Sequence, residues 1–396
     1  MDYFPTQNFR SLHRRTLILN SAIGFRVASF LDRKFNFLVL FVSLFAYGFR
    51  GAKYPRLVFG DDATLVSHAL DRQMPWGMLG RFDKLGLFDP FNDNLAVLLR
   101  VVTHFALIGP DSGFAFRIFI IMTIFWATVT WVIALTIKNY VSPGVGVVAA
   151  LMLSWLPFSN QVFLAQANTV AWPLALLCIL LVALRSYPTS LSVRIPVVVL
   201  FSLTAMSTGT MIVAIAWLVF DIARNIRRVN RFEIVLLLFT GFSYYLQLIS
   251  YKPRPNAKLP LDHELYRTLF GWSPQFIRAR IGQDLSFGVS LMLFLIPILL
   301  IASWLYLFIH AFQSHRVHAI ASLRLLITSL VLPVLLIAGN GWLNTHYLYI
   351  PSALFWLSAL ILAASHRDRT SASSQLATGV LVILYCTAIS GVYYVL

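Results

Sequence analysis

Charge is scarce in this sequence. Of 396 residues, 15 are acidic and 31 are Lys or Arg, 12% of the chain, whereas soluble domains carry about 25%. A solvated surface of ordinary density is therefore excluded. Cysteine is scarcer still: Cys178 and Cys386 are the only two. Both lie inside apolar blocks, which excludes a disulfide framework and a Cys-based metal site. No cleavable signal peptide is expected either, since the first thirty residues are polar and basic and carry no apolar core before a small-residue cleavage site. What the chain has in abundance is hydrophobic residues, 59% of the total, gathered in long runs. That is the composition of a multi-pass membrane protein. In a soluble protein the net charge of +16 would suggest nucleic acid. Here the arginines flank apolar blocks, so they read as topology signals and contacts to membrane lipids, and no nucleic-acid partner is expected.

The apolar blocks fall at 35–49, 118–137, 144–158, 169–184, 195–206, 210–223, 234–249, 287–309, 325–339, 350–365 and 376–393. The fold class expected is all-α, a single polytopic helical bundle over 1–396 with about 11 segments, several of them shorter than the ~20 residues of a full crossing. The segment before the first block holds Arg10, Arg14, Arg15, Arg26, Arg33 and Lys34, which places the N-terminus in the cytoplasm. The turns at Lys138, Arg185 to Arg194, "RNIRRVNR" (224–231), Arg316 to Arg324 and "HRDR" (366–369) are short and basic and fall on the same side. Two long external loops remain, 50–117 and 250–286, with short ones at 159–168 and 340–349. The C-terminus is then external, and the expected location is the cytoplasmic (inner) membrane. The stretch 195–223 has two readings. As one long span it inverts everything downstream. A break at "STGT" (207–210) keeps both flanking basic clusters in the cytoplasm, and hydroxyls and a glycine suit a helix break at membrane depth. The broken pair is the preferred reading.

Almost no charged residue lies inside a block, and no inverted repeat is evident, which weighs against an ion-coupled carrier. Titratable chemistry concentrates in the external loops. The first opens with "VFGDDATLVSHAL" (58–70), an adjacent pair Asp61 and Asp62. The helix 63–72, which carries His68, follows, then a Gly- and aromatic-rich stretch 74–93, then a second helix 94–108. In this second helix Leu95, Leu98, Leu99, Val102, Phe105 and Ala106 repeat at helical spacing, so it should lie in the interface plane with Arg100 and His104 on or near its polar side. One role for the acidic pair is to cap helix 63–72; the other is chemistry.

The arrangement of a cytoplasmic N-terminus, one span, and an external loop with an acidic pair and two interfacial helices resembles the GT-C superfamily of membrane glycosyltransferases. The matching residues are "GDDA" (60–63), the middle of the first loop, and "FRIF" (116–119) entering the second span. "QANTVAWPLAL" (166–176), the break at "STGT" and "NTHYLYIP" (344–351) are similar in a weaker way. His346 stands where that family more often has Arg. The resemblance implies transfer of a sugar from a polyprenyl-phosphate-linked donor to a glycan or lipid acceptor, or to a protein, at the external face. One of Asp61 and Asp62 would be the general base, since a fixed carboxylate can take the acceptor hydroxyl proton while the lipid phosphate leaves. Cations would meet that phosphate. The candidates are Lys252 and Arg254 at the start of the second loop, Arg278 and Arg280 in "SPQFIRARIG" (273–282), His346 in the last external turn and His68. Headgroup anchoring is the alternative role for each arginine, and an interfacial role is the alternative for His346, with Trp342, Tyr347 and Tyr349 as an aromatic belt. No cofactor is expected. A divalent cation is left open, but the spacing of His68, His263 and Glu264 with Asp62 is not that of a metal site. A flippase for a lipid-linked glycan and a polysaccharide polymerase are the competing functions.

Overall fold

The computed structural model describes residues 7–52, 97–106, 108, 113–156, 169–225, 230–250, 287–340, 349–365 and 372–394. Among these the protein is all-helical, with twelve α-helices, one 3-10 turn and no strand. They are α1 (Gln7–Gly51), α2 (Val97–Ala106), α3 (Phe114–Tyr140), α4 (Pro143–Trp155), α5 (Ala171–Leu184), α6 (Leu191–Ala205), the turn Gly209–Met211, α7 (Ile212–Arg224), α8 (Arg231–Ser250), α9 (Phe287–Ser314), α10 (Arg316–Asn340), α11 (Tyr349–Ser365) and α12 (Ala372–Tyr394). Each apolar block of the sequence falls largely within one helix, but α1 begins at Gln7 and α10 at Arg316, well ahead of the blocks 35–49 and 325–339, so the helices run on into the polar, basic segments before them. Three stretches, Phe114–Tyr140, Arg231–Ser250 and Arg316–Leu335, are long and apolar enough to cross a membrane by length and composition.

The centre of the bundle is α5. Its sequence "AWPLALLCILLVAL" is apolar all round, and every residue but Trp172 is buried, as expected of a helix enclosed on all sides. Cys178 lies in it as a buried free thiol. Around it stand α3, α6, α7, α10 and α11. Outside them, α1 packs on α3 and α4. Ser142 begins α4 by accepting a hydrogen bond from Val145 N, with Pro143 at the first helical position, the usual chemistry of a helix start. At the tightest crossing, Gly146 of α4 meets α3. A Cβ there would stand 2.7 Å from the backbone oxygen of Ala134 and 2.8 Å from the Phe35 ring. Backbone cannot swing aside, so Gly146→Ala should push α3 and α4 apart and cost about 1–3 kcal/mol. A lowered thermal midpoint of the detergent-solubilised protein is the check.

The preferred break in 195–223 is present. Helix α6 ends at Ala205 and α7 begins at Ile212. The freed backbone groups between them find local partners: Met206 N donates to Ser202 O, Thr208 N to Thr204 O and Thr210 N to Thr208 Oγ1. The two helices reverse rather than continue. Arg194 at the start of α6 stacks over Phe232 of α8, 5.1 Å from its ring centroid. Arg185, just before α6, lies 3.8 Å from Asp221 in the last turn of α7. Both feet of the pair thus stand at one end of the bundle, and the tip at the other.

Candidate functional site

Two polar clusters lie at opposite ends of the bundle. The first gathers around the end of α1. Tyr47 and Arg50 are each 1% exposed. Arg50 donates from Nη1 to Ser154 O at 2.5 Å and from Nη2 to Leu156 O at 2.9 Å. It thereby closes the C-terminus of α4, where carbonyls lack helical partners and the helix dipole is negative. The Tyr47 hydroxyl shares a hydrogen bond with Thr130 Oγ1 at 2.9 Å, and the Ser154 hydroxyl donates to Ser43 Oγ at 3.2 Å. Aromatic rings enclose these groups: Tyr47 lies 5.6 Å from Trp126, which meets Tyr349 edge-on at 5.2 Å. Tyr349 is 4% exposed, so it belongs to the interior rather than to an aromatic belt. The reason is that α11 begins there and packs its first turn against α10, where Ser329 Oγ donates to Pro351 O at 2.8 Å.

Helix α2 stands at the same end and does not lie free in an interface. Its Leu98 N donates to Ser207 Oγ at the tip of the broken pair, 3.1 Å, and its Ala106 O accepts from Arg117 Nε of α3, 2.6 Å. Both ends are therefore tied to the bundle. As a result Arg100 and Thr103 are buried, at 8% and 4% exposure, while Phe105 is 52% exposed. The expected apolar face is buried at Leu98, Leu99, Val102 and Ala106, and the departures are two: Arg100 is turned toward protein and Phe105 outward. The side chain of His104 lies beside Phe105, with ring centroids 6.1 Å apart.

The residues proposed from sequence for chemistry or binding, Asp61, Asp62, His68, Lys252, Arg254, Arg278, Arg280 and His346, lie outside the described residues. So do Trp342, Tyr347, Gln166, Asn168, His263 and Glu264. What the structure does place are chain ends that flank these segments. Ala52 follows Arg50; Val97 packs with Leu203, Met206 and Leu246; Leu156 meets Arg50; Tyr349 meets Trp126. These ends share the Arg50 end of the bundle.

The second cluster was not legible in the sequence. At the opposite end, Asp221 of α7 and Arg324 of α10 form a two-pronged pair, with Nη1 donating to Oδ2 at 2.8 Å and Nη2 to Oδ1. Asp221 is 1% exposed and Arg324 7%. The Arg324 guanidinium lies 5.0 Å above the Trp217 ring, and Trp217 Nε1 donates to Thr328 Oγ1 at 2.9 Å. Arg185 joins from the end of α5, donating to Glu233 Oε1 of α8 at 2.9 Å. Two cations and two carboxylates thus meet where α5, α7, α8 and α10 converge. The expectation of almost no charge within the apolar segments holds for their middles, while Asp221, Glu233 and Arg324 are buried near their ends.

Local backbone serves this cluster. Arg185 adopts the left-handed conformation, φ 51°, at the C-cap of α5, a position that glycine normally fills. Ser186 N donates to Leu181 O across the turn at 3.0 Å. Burial works against the Arg185 guanidinium, yet the hydrogen bond and charge of Glu233, with Asp221, raise its pKa above the ordinary value, so it stays cationic. Burial first, then the Glu233 and Asp221 charges, push the Tyr187 phenol up from its usual range, so it stays neutral. Because the left-handed conformation costs a side chain about 1–2 kcal/mol, Arg185→Gly should lower the thermal midpoint less than Arg185→Ala, although both lose the ion pair.

The fold thus defines a class: an apolar, all-α bundle with a basic end held by ion pairs and an opposite end where the buried Arg50 closes α4 and the half-buried Arg117 closes α2. Among the described residues no group of three His, Cys, Asp or Glu could hold a metal ion. Compared with known proteins, the chain matches no family model and no curated sequence closely enough to establish a relationship.

Proposed function

We propose that this protein is a polytopic membrane glycosyltransferase of the inner membrane. It transfers a sugar from a polyprenyl-phosphate-linked donor to a glycan, lipid or protein acceptor at the external face. The eleven longer helical segments cross or re-enter the bilayer, with a cytoplasmic N-terminus and an external C-terminus. In support, the basic turns at Lys138, Arg185, Arg224, Arg231 and Arg316 all belong to the end opposite Arg50, as the positive-inside rule requires of a cytoplasmic face.

The observation that carries the proposal is the common address of the loop ends. The segments 53–96, 251–286 and 341–348, which hold the acidic pair and the candidate cations, all leave from helix ends on the Arg50 side. A carboxylate base and phosphate-binding arginines drawn from three separate loops can then serve one reaction at one membrane surface. Asp61 or Asp62 takes the proton from the acceptor hydroxyl as that oxygen attacks the anomeric carbon. The bond to the donor phosphate breaks, and Lys252, Arg254, Arg278, Arg280, His68 and His346 supply the groups that receive the charge. The buried ion pairs lie near helix ends rather than at mid-helix, where a carrier would place its coupling carboxylates.

The test is direct. Membranes containing the protein are supplied with labelled polyprenyl-phosphate sugars and a membrane glycan fraction. Label should pass to the acceptor and be absent in membranes without the protein. Failure of every donor, in membranes where the protein is shown to be present, would exclude the reading.

A further inference from the structure

The apolar stretch 195–223 can cross a membrane once or turn back, and its own composition does not decide. We propose that the ion pairs of Arg185 with the buried carboxylates Glu233 and Asp221 are what select the reversed pair α6–α7 over a single span, and so set the topology of everything downstream. The inference rests on the membrane-spanning part of the proposed function, not on the transfer reaction.

The geometry is exclusive. In a continuous helix Arg185 and Asp221 would lie about 50 Å apart at 1.5 Å per residue. In the structure they are 3.8 Å apart, and Arg185 also holds Glu233 at 2.9 Å. Asp221 in turn takes both prongs of Arg324. Two charges of each sign are thus matched in the reversed arrangement. In the single-span arrangement everything after α6 inverts together, so Asp221 and Arg324 keep each other, while Asp221 and the buried Glu233 both lose Arg185 to the opposite side of the membrane. Losing one partner of a buried pair is far costlier than never having built it, so the cluster penalises the alternative fold as well as tying the native one. The tip adds little to this choice: its one described bond to α2 is Leu98 N to Ser207 Oγ, and Tyr244 OH reaches Gly209 O at 3.5 Å.

The basic turn 224–231 also favours the same side, so the test must separate the two effects. Full-length chains are synthesised cell-free into inside-out inner-membrane vesicles, with Cys178 and Cys386 replaced by Ala. A single reporter cysteine is placed either before the pair, as Asn139→Cys, or after it, as Ser373→Cys. Both sites are exposed at the basic end. A membrane-impermeant maleimide reads which side each faces. Arg227→Gln with Arg228→Gln weakens the charge signal of the turn.

In this background both reporters should still label. Adding Glu233→Gln should cut labelling of the Ser373→Cys reporter severalfold and leave Asn139→Cys unchanged. Glu233→Gln makes the turn more positive, so charge bias alone predicts the reverse. Exchanging the pair, Arg185→Glu with Glu233→Arg, should restore labelling. The proposal is overturned if the weakened background inverts by itself, if Glu233→Gln changes nothing, or if the exchange fails to restore. Unlabelled reporters in the unmodified chain would instead overturn the membrane orientation itself. The readout is taken on newly made chains, so degradation of a variant does not obscure it.

Discussion

Asp61→Asn or Asp62→Asn is expected to lower sugar transfer by about 10²–10⁴-fold, the usual worth of a positioned general base, while the other substitution has a small effect. The amide is the informative replacement. It matches the carboxylate in shape and is an equally good helix cap, so a carboxylate that only holds helix 63–72 tolerates the change. A carboxylate that removes a proton does not, because the amide oxygen is not basic. The two neighbours also repel, which raises one apparent pKa of the pair. Neutralising the non-catalytic neighbour should therefore move the acid limb of the activity profile to lower pH than in the unmodified protein. Transfer is measured in membranes with a labelled lipid-linked donor, alongside the amount of folded protein. Full activity in both single variants would remove the acidic pair from the reaction.

The second large effect concerns stability. Arg324→Ala should cost about 3–5 kcal/mol, because it leaves Asp221 buried without its two-pronged partner, and Asp221 is 1% exposed. Replacing both, as Asp221→Leu with Arg324→Met, should cost much less, since a buried pair exchanged for apolar groups of similar size is often neutral or better. The difference between the single and double variants is the coupling of the pair. Thermal unfolding in detergent, followed by loss of monodisperse protein, gives the comparison. Equal midpoints for the single variant and the unmodified protein would show that Asp221 finds another partner, and Arg185 at 3.8 Å is the nearest.

Much of the architecture could be read along the chain. Apolar runs located most helices to within a few residues, though α1 begins at Gln7 and α10 at Arg316, well ahead of their apolar blocks, and hydroxyl residues with a glycine marked the break between α6 and α7. Such signals are local: each helix satisfies its own backbone, so its composition is enough to announce it. Helix α2 and most of its buried face, Leu98, Leu99, Val102 and Ala106, were legible. Spacing did not show that Arg100 is buried as well and Phe105 exposed, because that depends on the neighbours to which Arg117 and Ser207 tie the helix. Tyr349 was read as an interface residue for the same reason, because proximity to Trp126 across more than two hundred positions leaves no trace in its neighbours. The acidic pair and the candidate cations remain sequence-based assignments.

By itself, then, the sequence determined the all-α class, the place of most of the helical segments, and the shared end at which the basic turns gather. These follow from hydrophobic composition and from charge counted over short stretches. Only the tertiary structure decided how the charges are used. Arg50 became a cap for α4, and the buried Asp221, Glu233 and Arg324 became one ionic cluster with Arg185. Asp221 and Arg324 are 103 residues apart in the chain. In sequence each looks like one more charge beside an apolar run, because what makes a charge a partner is a distance in space, which helix packing alone sets.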